Sequence, residues 1–294
     1  MSVIEMSPEN SQDASATPTT GVLGEPPTRR VRSMPVPFLL ITGGKGGVGK
    51  TTLAANLGVH LARGGHRVLL VDLDLGLADL DLVLSLRPRR TVEDAMAGKC
   101  TFSDCLVEGP GGLSLLPAAS GDRQLVATDA ERRNRLLVGL AELAADFDVV
   151  IGDGASGIGP DVMTFAAVAD RVLLVTTPEL PAVTDAFGLI KAMDSWSREC
   201  EEEVPTPSLV INLCAGYEEA QATAQRLKKV CERFLARSPR SAGWLPRAAS
   251  IGRSGAGGDP FVLGEHKSLA SNCLHQLAGR LTRLWEGPAA ATGR

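Results

Sequence analysis

No two of the six cysteines (100, 105, 200, 214, 231 and 273) form a C-x-x-C pair, and that absence removes several chemistries at once. A zinc or iron–sulfur centre wants thiolates closer together, ideally with histidine beside them. The histidines, His60, His66, His266 and His275, are scattered without ligand spacing. The cysteines are therefore expected to be free thiols, as suits a reducing compartment. No apolar run approaches the ~20 residues that a membrane-spanning helix needs. The opening MSVIEMSPEN lacks the basic-then-apolar layout of a secretion signal, which makes the cytoplasm the expected compartment. Excess positive charge is missing too: a net charge of −4 gives no global field for nucleic acid.

What is there suits one sizeable α/β domain: 294 residues, 44% hydrophobic and 22% charged. Residues 1–35 are rich in Ser, Thr, Pro and Glu with few large apolar groups, and are expected to be a disordered tail. Residues 287–294 are expected to be a second flexible tail. Between them, residues 36–286 alternate two textures. FLLIT (38–42), RVLLVD (67–72), LSLLP (113–117), DVVIGD (148–153), RVLLVTT (171–177) and SLVINL (208–213) are short and continuously apolar, like strands buried on both faces. GWLP (243–246) is a candidate last strand. Helices are expected at 50–64, 129–146, 160–169, 181–198, 217–238 and 267–286. This alternation implies a doubly wound, mostly parallel sheet with helices on both faces. Ligands of such sheets bind beyond the carboxyl ends of the strands.

One such end carries GGKGGVGKTT (43–52), between the strand FLLIT and the helix TTLAANLGVHLA. The pattern G-x-x-x-x-G-K-[ST] falls on Gly44, Gly49, Lys50 and Thr51, in the strand–loop–helix context of a phosphate-binding loop. Glycines let backbone N–H groups curl inward around phosphate oxygens, and the helix adds the positive end of its dipole. Lys50 is expected on the β- and γ-phosphates of ATP, and the Thr51 hydroxyl on Mg²⁺. The carboxylates that such a site needs stand at neighbouring strand ends: Asp72 and Asp74 after RVLLV, and Asp153 after VVIG. Asp72, Asp74 and Asp153 join Thr51 as expected magnesium ligands, directly or through water. Asp74, two residues past Asp72, is the candidate for orienting the attacking water.

The form KGGVGKT, with Lys45 ahead of the usual lysine, resembles the deviant Walker A loop of the MinD/ParA ATPases. The resemblance covers about residues 36–286. VDLDLGLADLDLVLSL (71–86), GPGGLSLLPAASG (109–121), TTPELPAVTDAFGLIK (176–191), CERFL (231–235) and PFVL (260–263) resemble its flagellar-number branch, FlhG or FleN. It implies ATP hydrolysis, an ATP-dependent face-to-face homodimer, peripheral association with the inner face of the membrane, and flagellar assembly partners such as an FlhF-like GTPase or switch-complex components. By position, the nucleotide would be held by Gly44, Lys45, Gly46, Gly47, Val48, Gly49, Lys50, Thr51 and Thr52. Lys45 would reach the partner's nucleotide as a catalytic group, and Asn212 would read adenine.

The chain departs from that pattern in four places. Arg247 follows Pro246 where an acid is usual, so the base edge should be read differently. Gly154 replaces a serine or threonine, so a hydroxyl of the second switch should be missing and hydrolysis should be slow. Asp79 replaces an asparagine. The activator motif DQAxxLR is absent, with SQDASATP (11–18) in its place, which counts against stimulation of a flagellar GTPase. The last helix is expected to pack on the domain through Leu269, Cys273, Leu277, Leu281 and Leu284. Membrane contact through Arg280, Arg283 and Trp285 is its alternative. A ParA-type DNA-partitioning protein would need a basic stripe, for which only RPRR (87–90) and RLKK (226–229) are available. A non-hydrolysing nucleotide sensor is the remaining alternative, and Gly154 is its best argument.

Overall fold

Each apolar run of the sequence becomes a strand. The computed structural model describes residues 33–119, 130–200, 203–235, 237–255, 259–264 and 267–285. The strands are β1 (Phe38–Gly43), β2 (Val68–Leu73), β3 (Val107–Glu108), β4 (Ser114–Leu116), β5 (Val149–Ser156), β6 (Arg171–Thr176), β7 (Ser208–Cys214) and β8 (Arg240–Pro246). They form one sheet in the order β3-β4-β2-β5-β1-β6-β7-β8. Every neighbouring pair is parallel except β3 with β4. β1 thus sits inside the sheet, flanked by β5 and β6.

The helices are α1 (Lys50–Arg63), α2 (Leu80–Val83), α3 (Val92–Met96), α4 (Ala130–Ala144), α5 (Pro160–Val168), α6 (Leu180–Glu199), α7 (Tyr217–Phe234), α8 (Ala249–Gly255), α9 (Phe261–Gly264) and α10 (Leu269–Trp285). Alternation along the strands splits the core in two. Phe38 and Leu40 of β1 join the cluster that packs α4, α5, α6 and α7. Leu39 and Ile41 join the one beneath α1 and α10. Both faces being covered explains why the strands read as unbroken apolar runs.

The structure corrects the expected tail boundary, since Met34 is buried in the first cluster; residues 1–32 and 286–294 lie outside the described residues. α7 stops at Phe234, four residues before the expected end. Of the expected packed face of α10, Cys273, Leu277 and Leu281 are buried and Leu269 is not, while the Leu284 side chain lies outside the described residues. Leu269 is 56% exposed, while Ala270, Leu274, Leu277, Ala278 and Leu281 are buried beside Cys273. A constant step of four residues drifts around a helix of 3.6 residues per turn, so the contact seam follows mixed steps of three and four instead. Arg280, assigned to a headgroup region in the alternative, donates from Nη1 to the Ala242 carbonyl of β8 at 2.7 Å. Among the described residues, no helix is long and apolar enough to cross a membrane.

Candidate functional site

Between the end of β1 and the start of α1 the chain must reverse direction within residues 44–49. Gly47 (φ 77°) and Gly49 (φ 92°) take left-handed conformations that a side chain would strain. Gly44 serves a different purpose: a Cβ there would overlap the backbone of Asp185 and Ala186, so the loop is seated on α6. α1 starts with no side-chain cap, leaving its first N–H groups to a ligand. Gly46, Gly47, Gly49, Lys50, Thr51 and Thr52 line a cleft of about 520 Å³, a size ordinary for a small-molecule site. Lys50 is buried in it and donates from Nζ to Ser156 Oγ at 2.7 Å.

Three residues expected in the nucleotide site do not line this cleft. Gly44 faces α6, the Val48 side chain is buried in the core, and Lys45 is exposed outside the cleft. The two lysines of the loop are therefore spatially sorted, one inside the site and one on the outer surface.

Asp72 and Asp153 stand side by side on β2 and β5, both almost wholly buried. Burial first, and then the charge of Asp153, hold the Asp72 carboxyl well above the usual range. Asp72 also clamps the following loop: Oδ1 accepts the Asp74 N–H at 3.1 Å, and Oδ2 accepts those of Asp79 (3.1 Å) and Leu80 (3.2 Å). As a magnesium ligand it would act from outside the coordination shell, because its oxygens are largely taken. β2 ends at Leu73, so Asp74 does not extend the strand as expected, yet the clamped turn still delivers it to the cleft.

Asp153 is the complementary case. Burial pushes its carboxyl up to about 7, against the opposing pull of the Thr51 hydroxyl and the Lys50 ammonium. Neither of its oxygens has a hydrogen-bond partner at bonding geometry. A buried polar group left so needs a ligand, and a hydrated divalent cation beside Thr51 meets that need. Among the described residues, no three His, Cys, Asp or Glu groups stand close enough to hold a metal alone. Mg²⁺ fits here because it keeps several waters and takes the rest of its shell from phosphate oxygens.

Sequence reasoning left three polar residues of the cleft out of its site. Asp79 lines it and is raised by burial, with Thr51 and Lys50 opposing the rise. Ser156, two residues past Gly154 on β5, accepts from Lys50; at Gly154 itself a Cβ would lie 3.0 Å from Leu40 Cδ1 and 3.1 Å from the Ile41 carbonyl. The spacing D-G-A-S was the available signal. Arg247 lines the same cleft from the segment after β8, with Asn212, Leu213 and Ile251. Asn212 is buried, donates from Nδ2 to the Val48 carbonyl at 2.8 Å, and accepts the Leu213 N–H on Oδ1 at 2.8 Å. It braces the loop as well as facing the cleft.

Comparison with known proteins agrees with this geometry. The model of the CobQ/CobB/MinD/ParA nucleotide binding domain matches residues 39–261. The antiactivator FleN of Pseudomonas aeruginosa is 37% identical over 217 residues, 74% of this chain and 76% of the relative. The flagellum site-determining protein YlxH of Helicobacter pylori is 32% identical over 199 residues, 68% of this chain and 65% of the relative. The crystal structure of the cell division ATPase MinD of Pyrococcus furiosus superposes with a TM-score of 0.69 at 25% identity, covering 84% of this chain and 99% of that one. A phosphate loop on an inner strand, carboxylates on β5 beside it and on β2 one strand further, and a match over most of the chain lead to one statement: this protein belongs to the CobQ/CobB/MinD/ParA nucleotide-binding family.

Proposed function

We propose that residues 36–286 form one ATP-driven switch that pairs with a second copy across its phosphate loop and regulates the number or placement of flagella. The observation that carries the pairing is the sorting of the two lysines. Lys50 is inside the cleft, whereas Lys45 is exposed on the same loop and does not line the cleft. A cation that cannot serve its own nucleotide from there can serve one presented by a partner. Leu77, Ile158 and Leu180 are 77%, 58% and 66% exposed on segments that follow β2, β5 and β6, at the same edge of the sheet. Apolar groups gathered there suit a face that a second copy covers.

In this reading Lys50 neutralises the β- and γ-phosphates, and the N–H groups of the loop and of α1 orient them. Asp74 orients the attacking water, and Asp72 holds the turn that carries Asp74. Thr51, Asp153 and Asp72 are the residues that would hold Mg²⁺, which supplies charge neutralisation to the phosphates when bound. Lys45, entering from the partner, stabilises the charge that develops as the γ-phosphate leaves. A cation supplied in trans in this way is worth about 10³–10⁵ in rate. YlxH, whose name denotes flagellum site determination, supports the assignment to flagella, and FleN carries the name of the flagellar-number branch that the motifs resemble.

The test mixes two inactive variants. Lys45→Ala protein retains Asp74, and Asp74→Ala protein retains Lys45. If Lys45 acts in trans, one site of each mixed dimer is whole, and hydrolysis returns on mixing. If it acts on its own nucleotide, every site in the mixture is defective and no activity returns, which refutes the pairing. Flagella counted per cell by electron microscopy in a strain lacking the protein test the biological half. An unchanged count removes the flagellar role and leaves the ATPase intact.

A further inference from the structure

The end of the cleft formed by the segments that follow β7 and β8 is lined by Asn212, Leu213, Arg247, Ala248, Ile251 and Gly252, with Asn212 seated against the Val48 carbonyl of the phosphate loop. With the phosphates held by Gly46–Thr52, this end is left for the base of a nucleotide. Its polar side chains are an amide and a guanidinium, and no carboxylate among the described residues joins them. The acidic residues lining the cleft, Asp74 and Asp79, belong to the loop that Asp72 clamps beside Thr51.

Arg247 is held at this end by its backbone. Cys214 of β7 stands opposite Pro246 of β8, and the Arg247 N–H donates to the Cys214 carbonyl at 2.8 Å. This places Arg247 directly past β8, beside the strand end that carries Asn212. Its side chain is exposed and forms no ion pair among the described residues, so its donors are free for a ligand.

The chemistry of that guanidinium is one-sided. It offers five N–H donors and no acceptor. Guanine presents two adjacent acceptors, O6 and N7, which a guanidinium can engage together. Adenine places the N6 amine, a donor, where guanine has O6, so the same approach sets donor against donor. Asn212 cannot reverse this preference, because an amide reads either base and half of its capacity already goes to Val48 and Leu213.

We propose that Arg247 relaxes the base specificity of this site toward purines with an oxygen at C6, so that GTP and ITP bind as well as ATP. The inference rests on the nucleotide-binding reading of the cleft and adds the class of base that it accepts.

The experiment is competition of ATP, GTP and ITP against a fluorescent nucleotide analogue, with Mg²⁺ present, for the parent, Arg247→Glu and Arg247→Gln. The parent should bind GTP and ITP within about tenfold of ATP. A glutamate accepts from N6 and repels O6, so Arg247→Glu should move the ratio of affinities at least tenfold toward ATP. Arg247→Gln, which can read either base, should fall between. A parent that excludes GTP by more than a hundredfold, or an Arg247→Glu protein with the parent's ratio, overturns the proposal. Failure of the underlying reading looks different: the parent then binds none of the three, or Lys50→Ala leaves all three affinities unchanged. Because Arg247 is on the surface, unchanged circular dichroism and melting temperature confirm that each variant is folded.

Discussion

Replacing Asp153 by asparagine should stabilise the ligand-free protein even though it removes a residue of the site. The carboxyl is fully buried, has no hydrogen-bond partner and lies beside Asp72, so its ionised form is poorly tolerated. Its pKa rises from 3.8 to about 7. Between those values the unfolded chain has lost the proton while the native state keeps it. The native state therefore binds more protons, and stability falls as pH rises through this window and levels off above it. A rise of that size corresponds to about 4 kcal/mol at pH 8. The asparagine amide is also buried without a partner, which costs about 1–3 kcal/mol. The net gain of about 1–3 kcal/mol raises the melting temperature by about 5 °C in a domain of this size. Differential scanning calorimetry in EDTA without nucleotide, at pH 5 and pH 8, measures it. Part of the parent's slope survives in the variant through Asp72, whose carboxyl is also raised. A variant no more stable than the parent at pH 8, or a gain equal at both pH values, would falsify the account of Asp153 as a strained carboxylate awaiting a cation.

Lys50→Ala removes the one lysine that lines the cleft and should abolish detectable binding of a fluorescent ATP analogue; an unchanged dissociation constant defeats the phosphate-loop assignment. Asp74→Ala leaves the phosphate contacts alone, so it should bind ATP normally and accumulate as a dimer on size-exclusion chromatography, whereas hydrolysis at the parent's rate rules Asp74 out. Gly44→Ala drives a methyl into the α6 backbone at Asp185 and should lower both melting temperature and ATP affinity; a silent substitution would mean that the loop is not seated there. Leu274→Ala empties a fully buried position between α10 and the sheet and should cost about 2–5 kcal/mol in urea unfolding, and a cost below 1 kcal/mol would show that α10 is not packed as described.

The long elements and the loop were legible in the sequence because each has a repeating signal. Six buried strands announce themselves as apolar runs, and GGKGGVGKTT between a strand and a helix states its chemistry. The helices α2, α3, α8 and α9 span only four to seven residues, too short to show a period. β3 is two residues long and half exposed. Within the site, what escaped was what depends on folding. Asp72 became a clamp because the chain turns back over it, and Ser156 reaches Lys50 from a strand more than a hundred residues away. Asn212 was expected to read a base, but its contact with the Val48 carbonyl could not be read from SLVINL. The exposure of Leu269 follows from helix geometry that a simple four-residue step ignores.

The position of β1 inside the sheet also governs how the molecule can be made. Phe38 pairs with Val150 and Leu39 with Arg171, so β1, the first strand among the described residues, waits for partners synthesised more than a hundred residues later. At about 5–20 residues per second, that delay is on the order of ten seconds. During it FLLITG is an apolar, β-prone segment with both edges unpaired, the kind of sequence that associates with its like. The same placement that sets the phosphate loop in the middle of the sheet makes early synthesis the hazardous stage for this chain, and a nascent chain arrested before Val149 has no strand to pair with β1.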